Sequence, residues 1–279
     1  MKRIHGISYL MVACLMILSS CEKDPKSSGD YDSSMAQDQS FAENTLEEVS
    51  KIADQACDEM TLRTYRTGND NSNSATITST VSGNTKTVTI DFGAVDVTCM
   101  DGKRRKGKIM VSFTGNYRDV NGTHTITFEN YFVNDYKVNG SKVVTNSGKN
   151  ALNQTVFTIE THVTLGNTSG QTMAWNSNRM RTWIEGESTT YASDALAGVR
   201  DDVYEVTGTA SGTSFNGLAF TVTITEPVRI ETDCRFITKG KAELMPEGKA
   251  LRIINYGDGT CDGYIIVTIN GIEYTVNFL

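Results

Sequence analysis

Tyr264-Ile-Ile-Val-Thr-Ile-Asn-Gly-Ile-Glu-Tyr-Thr-Val-Asn-Phe278 is two alternating runs set on either side of Asn270-Gly271. Ile265, Val267 and Ile269 fall on one face of an extended chain, and Asn-Gly is the pair that best tolerates the positive φ angles of a two-residue type I′ turn. The stretch therefore predicts an antiparallel hairpin with one buried face. The same period of two recurs upstream. Val88, Ile90 and Phe92 alternate with polar residues, as do Ile109, Val111 and Phe113, then Ile126 and Phe128, then Phe220, Val222 and Ile224. Asn121-Gly122, Asn139-Gly140 and Asn216-Gly217 lie between such runs and predict further hairpin turns. With 24 glycines and only three prolines, the chain predicts about a dozen strands joined by tight turns.

The expected fold is all-β over residues 75–279: antiparallel, mostly meander, one large twisted sheet forming a sandwich or an open barrel. Residues 41–60 predict an amphipathic helix covering one end of that sheet. Ser40 and Glu43 fit a capping box, and Leu46, Val49, Ile52, Ala53, Ala56 and Met60 recur at helical spacing. Residues 188–202 lack alternation and predict a loop with a short helix, Ser193 to Arg200.

Residues 1–20 read as a lipoprotein signal peptide: Lys2 and Arg3, an apolar run from Ile7 to Leu18, then Leu18-Ser19-Ser20-Cys21. The small residues before Cys21 make it the expected acylated residue, with lipid chains as the membrane anchor. Residues 21–40 then serve as lipidated cysteine and polar tether, which as a coil would hold the domain roughly 25 Å from the anchor. Loss of the signal leaves 24 basic against 33 acidic side chains, a net charge of −9. That balance argues against nucleic acid as a partner, and against adhesion to anionic headgroups without acyl chains.

Cys57, Cys99, Cys234 and Cys261 remain after the signal and the lipobox are set aside. Four cysteines allow three pairings or none. Proximity along the chain favours Cys57–Cys99 and Cys234–Cys261, with four buried thiols as the alternative.

No catalytic constellation is visible, and no cofactor is expected. His124 and His162 lack the spacing partners of a metal or triad site. Asp258, Thr260 and Asp262 imitate the first half of a calcium loop, but Ile269 stands where a closing glutamate belongs, so a tight turn is the plainer reading. Lys103, Arg104, Arg105, Lys106 and Lys108 could hold a phosphate, a sulfated glycan or lipopolysaccharide, or could be a solvated connection that guards a strand end. Glu185 and Glu187 lie near Trp175 and Trp183, which suggests a sugar platform or, as a lesser reading, a glycoside hydrolase pair.

The stretches 89–93 (TIDFG), 99–109 (CMDGKRRKGKI), 179–183 (RMRTW), 256–262 (YGDGTCD) and 269–271 (ING) resemble a group of uncharacterised cell-envelope lipoproteins of Bacteroidota. The likeness spans about residues 85–279. It implies an outer-membrane location, compatible with surface display, and no assigned activity. The expected role is a non-catalytic structural or binding module. The alternative is a carbohydrate-binding accessory lipoprotein of an outer-membrane uptake system, with a protein or glycan partner left open.

Overall fold

The alternating runs become one continuous sheet, whose strands are neighbours in space in the order in which they occur in the chain. The computed structural model describes residues 30–60, 66–67, 72–73, 75–189 and 197–277. The expected signal peptide over 1–20, Cys21 and the tether as far as residue 29 lie outside the described residues. A helix, α1 (Ser34–Glu59), precedes a two-stranded pair, β1 (Arg66–Thr67) and β2 (Ser72–Asn73). The large sheet comprises β3 (Thr76–Ser82), β4 (Thr85–Asp91), β5 (Val97–Thr98), β6 (Arg104–Thr114), β7 (Thr123–Val133), β8 (Tyr136–Lys149), β9 (Thr155–Gly166) and β10 (Thr172–Glu185). After a short helix, α2 (Ala197–Arg200), it continues as β11 (Val203–Thr213), β12 (Ala219–Glu231), β13 (Ile237–Pro246), β14 (Arg252–Asp258), β15 (Tyr264–Ile269) and β16 (Ile272–Asn277). The order runs from β16 through consecutive antiparallel neighbours to β6, β4 and β3, with β5 beside β6. β3 and β16 are the two edges and do not pair with each other, so the sheet is open.

The alternating residues Val88, Ile90, Ile109, Val111, Ile126, Val222, Ile265, Val267 and Ile269 are all buried. They line the inner face of the sheet. Bulges bend it: the register slips between Lys106 and Lys108, between Thr127 and Tyr131, and between Val206 and Thr209. A bulge adds local twist and curvature to an antiparallel pair. At the first of these, Gly107 has φ +80°, and a Cβ there would lie 1.9 Å from the carbonyl oxygen of Asn130, so only glycine fits.

The helix does not cover an end of the sheet; it lies within the curl. Its side chains and flanking residues reach partners on β6, β8, β10, β13 and β14. At 26 residues it is about 39 Å long, comparable to the longest strands at ~3.3 Å per residue. It also begins earlier than the pattern from Ser40 predicts. The Asp32 carboxylate accepts from the Ser34 N–H at 2.9 Å, Met35 and Ala36 are buried, and the tether expected over 21–40 gives up its last residues to α1. Ser40 and Glu43 therefore form no capping box. Both are buried inside the helix, where the Ser40 hydroxyl donates to Gln39 Oε1 and Glu43 meets Arg179.

Three more expectations change. Asn139-Gly140 is not a hairpin turn but lies inside β8, and Asn121-Gly122 belongs to a longer connection between β6 and β7. Asn270-Gly271 does form the two-residue turn between β15 and β16. The basic run is not a solvated connection: Arg105 pairs with Val97 on one side and Val133 on the other, within a strand flanked on both sides. Strand alternation splits the run, turning Arg105 into the core and leaving Arg104, Lys106 and Lys108 on the outer face with Asp135, Asp96 and Glu129. Of the predicted short helix, Ala197–Arg200 is helical, and 190–196 lie outside the described residues.

Cys234 and Cys261 are joined, with Cα atoms 5.8 Å apart, and the bridge ties the β12–β13 turn to the β14–β15 turn. Cys57 and Cys99 are not paired; both are free and buried. Their levels differ. Cys99 sits by the Arg105 and Tyr131 group, whose helix partner is Glu48, and Cys57 is nine residues further on, about 13 Å along the axis.

Gly140 explains the mid-strand Asn-Gly. Its φ is +113°, and a Cβ would fall 2.1 Å from the backbone oxygen of His162 on β9. Gly140→Ala is expected to cost about 2–4 kcal/mol, from strain and a displaced strand. Urea denaturation checks it, and a loss below about 0.5 kcal/mol would show that β8 and β9 are not so closely apposed.

Candidate functional site

A cleft of about 330 Å³ opens beside the middle of α1, between the turn before β6 and the β12–β13 turn. Asn44, Glu47, Glu48 and Lys51 bring it one face of the helix, and Asp101, Arg235 and the Cys234–Cys261 bridge bound its far side. Its charged groups are already engaged. Lys51 Nζ donates to the carbonyl oxygens of Glu231 and Cys234, each at 2.7 Å. Glu48 holds Lys103 and Arg105, Glu47 lies 3.6 Å from Lys142, and Arg235 donates to the carbonyl of Asp101. Burial lowers Lys51 to about 8, against the pull of Glu48 and Glu47. An amine bound to two carbonyls and still mostly protonated at neutral pH is a structural cation rather than a nucleophile.

The second polar centre is at the far end of the helix. Asp54 receives Arg181 at 3.2 Å and the Tyr117 hydroxyl at 2.8 Å. Burial alone would raise the Asp54 pKa, but Arg181 and Arg118 outweigh it and hold the carboxyl at about 2. The Arg181 guanidinium lies between two rings, 5.0 Å from Phe157 and 4.5 Å from Tyr204. Tyr117 gives its one proton to Asp54, so its oxygen accepts from His124 Nε2, 3.1 Å away, which assigns the neutral Nε2–H tautomer. Burial and the neighbouring cations Arg181, Arg118 and Lys142 lower the His124 pKa to about 4, with Asp54 pulling the other way. Asp202 accepts from Trp183 Nε1 at 3.1 Å, and desolvation raises it to about 7. These groups close on each other through hydrogen bonds and ion pairs.

The residues singled out from sequence are scattered. Trp175 is 1% exposed and packs near Phe220, and Trp183 is 8% exposed beneath Arg118 at 4.6 Å. Neither indole offers a face to a sugar ring. Glu185 pairs with Arg229, whereas Glu187 pairs with Lys149 and accepts from Thr155, so the two carboxylates serve different strands instead of one scissile bond. Asp258 accepts from the backbone and hydroxyl of Thr260, and Asp262 from the backbone of Tyr264. Those are turn-forming bonds, and among the described residues no group of metal-ligating side chains gathers. His162 lies on the outer face against Asn176. Sequence reading missed the charged lining itself, namely Arg105, Lys142, Arg179, Arg181 and Arg252, all at most 5% exposed.

No family model matches the chain, and no curated protein or solved structure matches it.

The His124 shift makes stability depend on acid. The unfolded ring takes a proton below its ordinary value of 6.5 and the native ring only near 4. The unfolded chain therefore holds the extra proton in between, and stability falls as the pH drops from 6.5 towards 4. Relative to His124→Gln, the wild type should lose on the order of 2–3 kcal/mol across that window. Urea curves at a series of pH values test this. A wild type and variant that stay parallel would contradict a neutral buried ring, and the comparison cancels the opposite slope expected from Asp202.

Proposed function

We propose that this chain is a lipid-anchored cell-envelope protein of the outer membrane, non-catalytic, whose helix-filled β shell acts as a structural or binding module. The observation that carries the reading is the position of Asp30. Its carboxylate takes Arg252 Nη2 at 2.7 Å and the Ala250 N–H at 3.0 Å, and its carbonyl accepts from Asn270. The fold is thus pinned nine residues after Cys21. Nine residues span at most about 30 Å, or ~16 Å as a coil. An acylated Cys21 would hold the β13–β14 and β15–β16 turns close to the lipid surface, and α1 would carry the Tyr117, Arg118 and Asp202 end about 39 Å further out.

The paired state of every charged group described in the cleft supports the non-catalytic part. A catalytic site keeps an acid, a base or a nucleophile available to substrate, and here those groups are spent on internal partners. The burial of Trp175 and Trp183 removes the two rings that suggested the carbohydrate reading.

Mass spectrometry of the mature N-terminal peptide should find diacylglyceryl and further acyl mass on Cys21. Cys21→Ala should stay at precursor size and carry no acyl mass. A variant that is processed and partitions like the wild type would overturn the anchor.

A further inference from the structure

The cations of the inner face each meet a carboxylate: Lys142 meets Glu47, Arg179 Glu43, Arg181 Asp54, Arg252 Asp30, and Arg105 both Glu48 and Asp101. Lys51, on α1 and lining the cleft, differs from them. Its ammonium donates to the carbonyl oxygens of Glu231 and Cys234, each at 2.7 Å, and forms no ion pair among the described residues. An ammonium has three donors, so one proton is left over. Carbonyl dipoles solvate a cation but do not cancel its charge, and a charge drawn out of water is costly without a partner. Arg235, on the far side of the cleft, is in a like state. It donates to the Asp101 carbonyl at 3.2 Å and lies 5.0 Å from the Phe236 ring, again with no carboxylate partner among the described residues.

The acids of the lining are committed to other cations. Glu48 holds Lys103 and Arg105, Glu47 faces Lys142, Asp101 binds Arg105, and Asp233 lies 3.4 Å from Arg200. Lys51 and Arg235 are thus the surplus charge of the cleft. Beside them stands an apolar wall of Ile230, Phe236, Ile237 and the Cys234–Cys261 bridge. At about 330 Å³ the space is at the lower end of small-molecule sites, which run from roughly 300 to 1,000 Å³. A bare inorganic anion would leave the wall against water, and a neutral apolar molecule would leave Lys51 without a counter-charge. We propose that the cleft binds a small organic carboxylate, whose oxygens take the remaining Lys51 proton and the Arg235 guanidinium while its apolar body lies along that wall. This deepens the binding half of the function proposed above and does not depend on the lipid anchor.

Phenylacetate, phenylacetamide and acetate test the site, titrated calorimetrically into the purified full-length chain with lipid alone as the blank. Phenylacetate should bind saturably at about pH 7. The amide keeps the ring and loses the charge, acetate keeps the charge and loses the ring, and each should bind at least about tenfold more weakly. Lys51→Gln retains amide donors for the two carbonyls but removes the ammonium, and should lose phenylacetate binding. Arg235→Gln, at an exposed position, should weaken binding about three- to tenfold and serves where Lys51→Gln does not fold. The wild type supplies a further reading. Burial lowers Lys51 to about 8, with Glu48, Glu47 and Glu231 acting against that shift and Lys103 with it. The ammonium is therefore lost as the pH rises through about 8, while phenylacetate stays ionised. Affinity should drop about tenfold from about pH 7 to about pH 9. Absence of saturable phenylacetate binding, equal affinity for the amide, or an affinity that does not change with pH would each overturn the inference and leave the structural reading of the shell standing.

Discussion

Cations on the inner face of a β sheet must be neutralised, and in this protein α1 and Asp30 just before it supply most of the acids that do so. Taking an unpaired charge out of water costs several kcal/mol, and removing one member of a buried pair typically costs ~3–5 kcal/mol. Arg105, Lys142, Arg179, Arg181 and Arg252 are all at most 5% exposed, so the curled sheet is not a stable object without the acids that face it. The pairing does not make the fold unusually stable in itself, since an apolar pair of similar volume often does as well. Nε of Arg181 and Arg252 and Nη1 of Arg179 are buried without a partner among the described residues, as expected of a lining that is not fully satisfied. What the ladder supplies is register. An amphipathic helix can slide or rotate along an apolar trough at small cost, but Glu43, Glu47, Glu48 and Asp54 meet their partners at one axial position only.

The apolar side of α1 adds the cohesive part. Leu46, Val49, Ile52, Ala53 and Ala56 are buried on the part of the helix surface that Glu43, Glu47 and Asp54 leave free, so the helix is enclosed by apolar packing as well as by ion pairs. The bulges and their glycines let the sheet curve far enough to reach both sides, and the Cys234–Cys261 bridge fastens two turns next to Lys51. The polar centres at Asp54 and Asp202 adjoin the same framework: Asp54 ties the helix C-terminal end to Tyr117 in the β6–β7 connection and to Arg181 on β10, and Asp202 accepts from Trp183 on β10 and Tyr204 on β11.

The sheet was legible in sequence because its inward positions are apolar at a period of two and its strands follow each other as hairpins. The last hairpin and the inward sets at 88–92, 109–113, 220–224 and 265–269 are where the alternation puts them. The lining was harder to read because it breaks the rule that inward means apolar. Arg179 and Arg181 alternate with Met180, and hydropathy would turn the methionine inward. The structure does the reverse, with Met180 47% exposed. Parity was the available signal: Arg179 and Arg181 share theirs with Trp175 and Trp183, so a strand that buries its tryptophans must bury its arginines. The acids of α1 look like a solvated helix face for the same reason, and only a set of inward cations reveals them as a second buried face. Ser40 and Glu43 imitate a helix start because serine and glutamate are also the residues a buried polar helix needs.

A charged lining whose Lys142, Arg179 and Arg181 pair with acids of α1 makes the helix and the sheet one cooperative unit. Native-state hydrogen exchange, resolved by residue across a denaturant series, reads that cooperativity. Amides of Leu46 to Gln55 should exchange only through global unfolding, with the same opening free energy and denaturant dependence as amides at the centres of β8, β9 and β10. If those helix amides instead open with a smaller free energy and a shallower denaturant dependence while the sheet stays protected, the helix is a detachable passenger and the sheet stands without it.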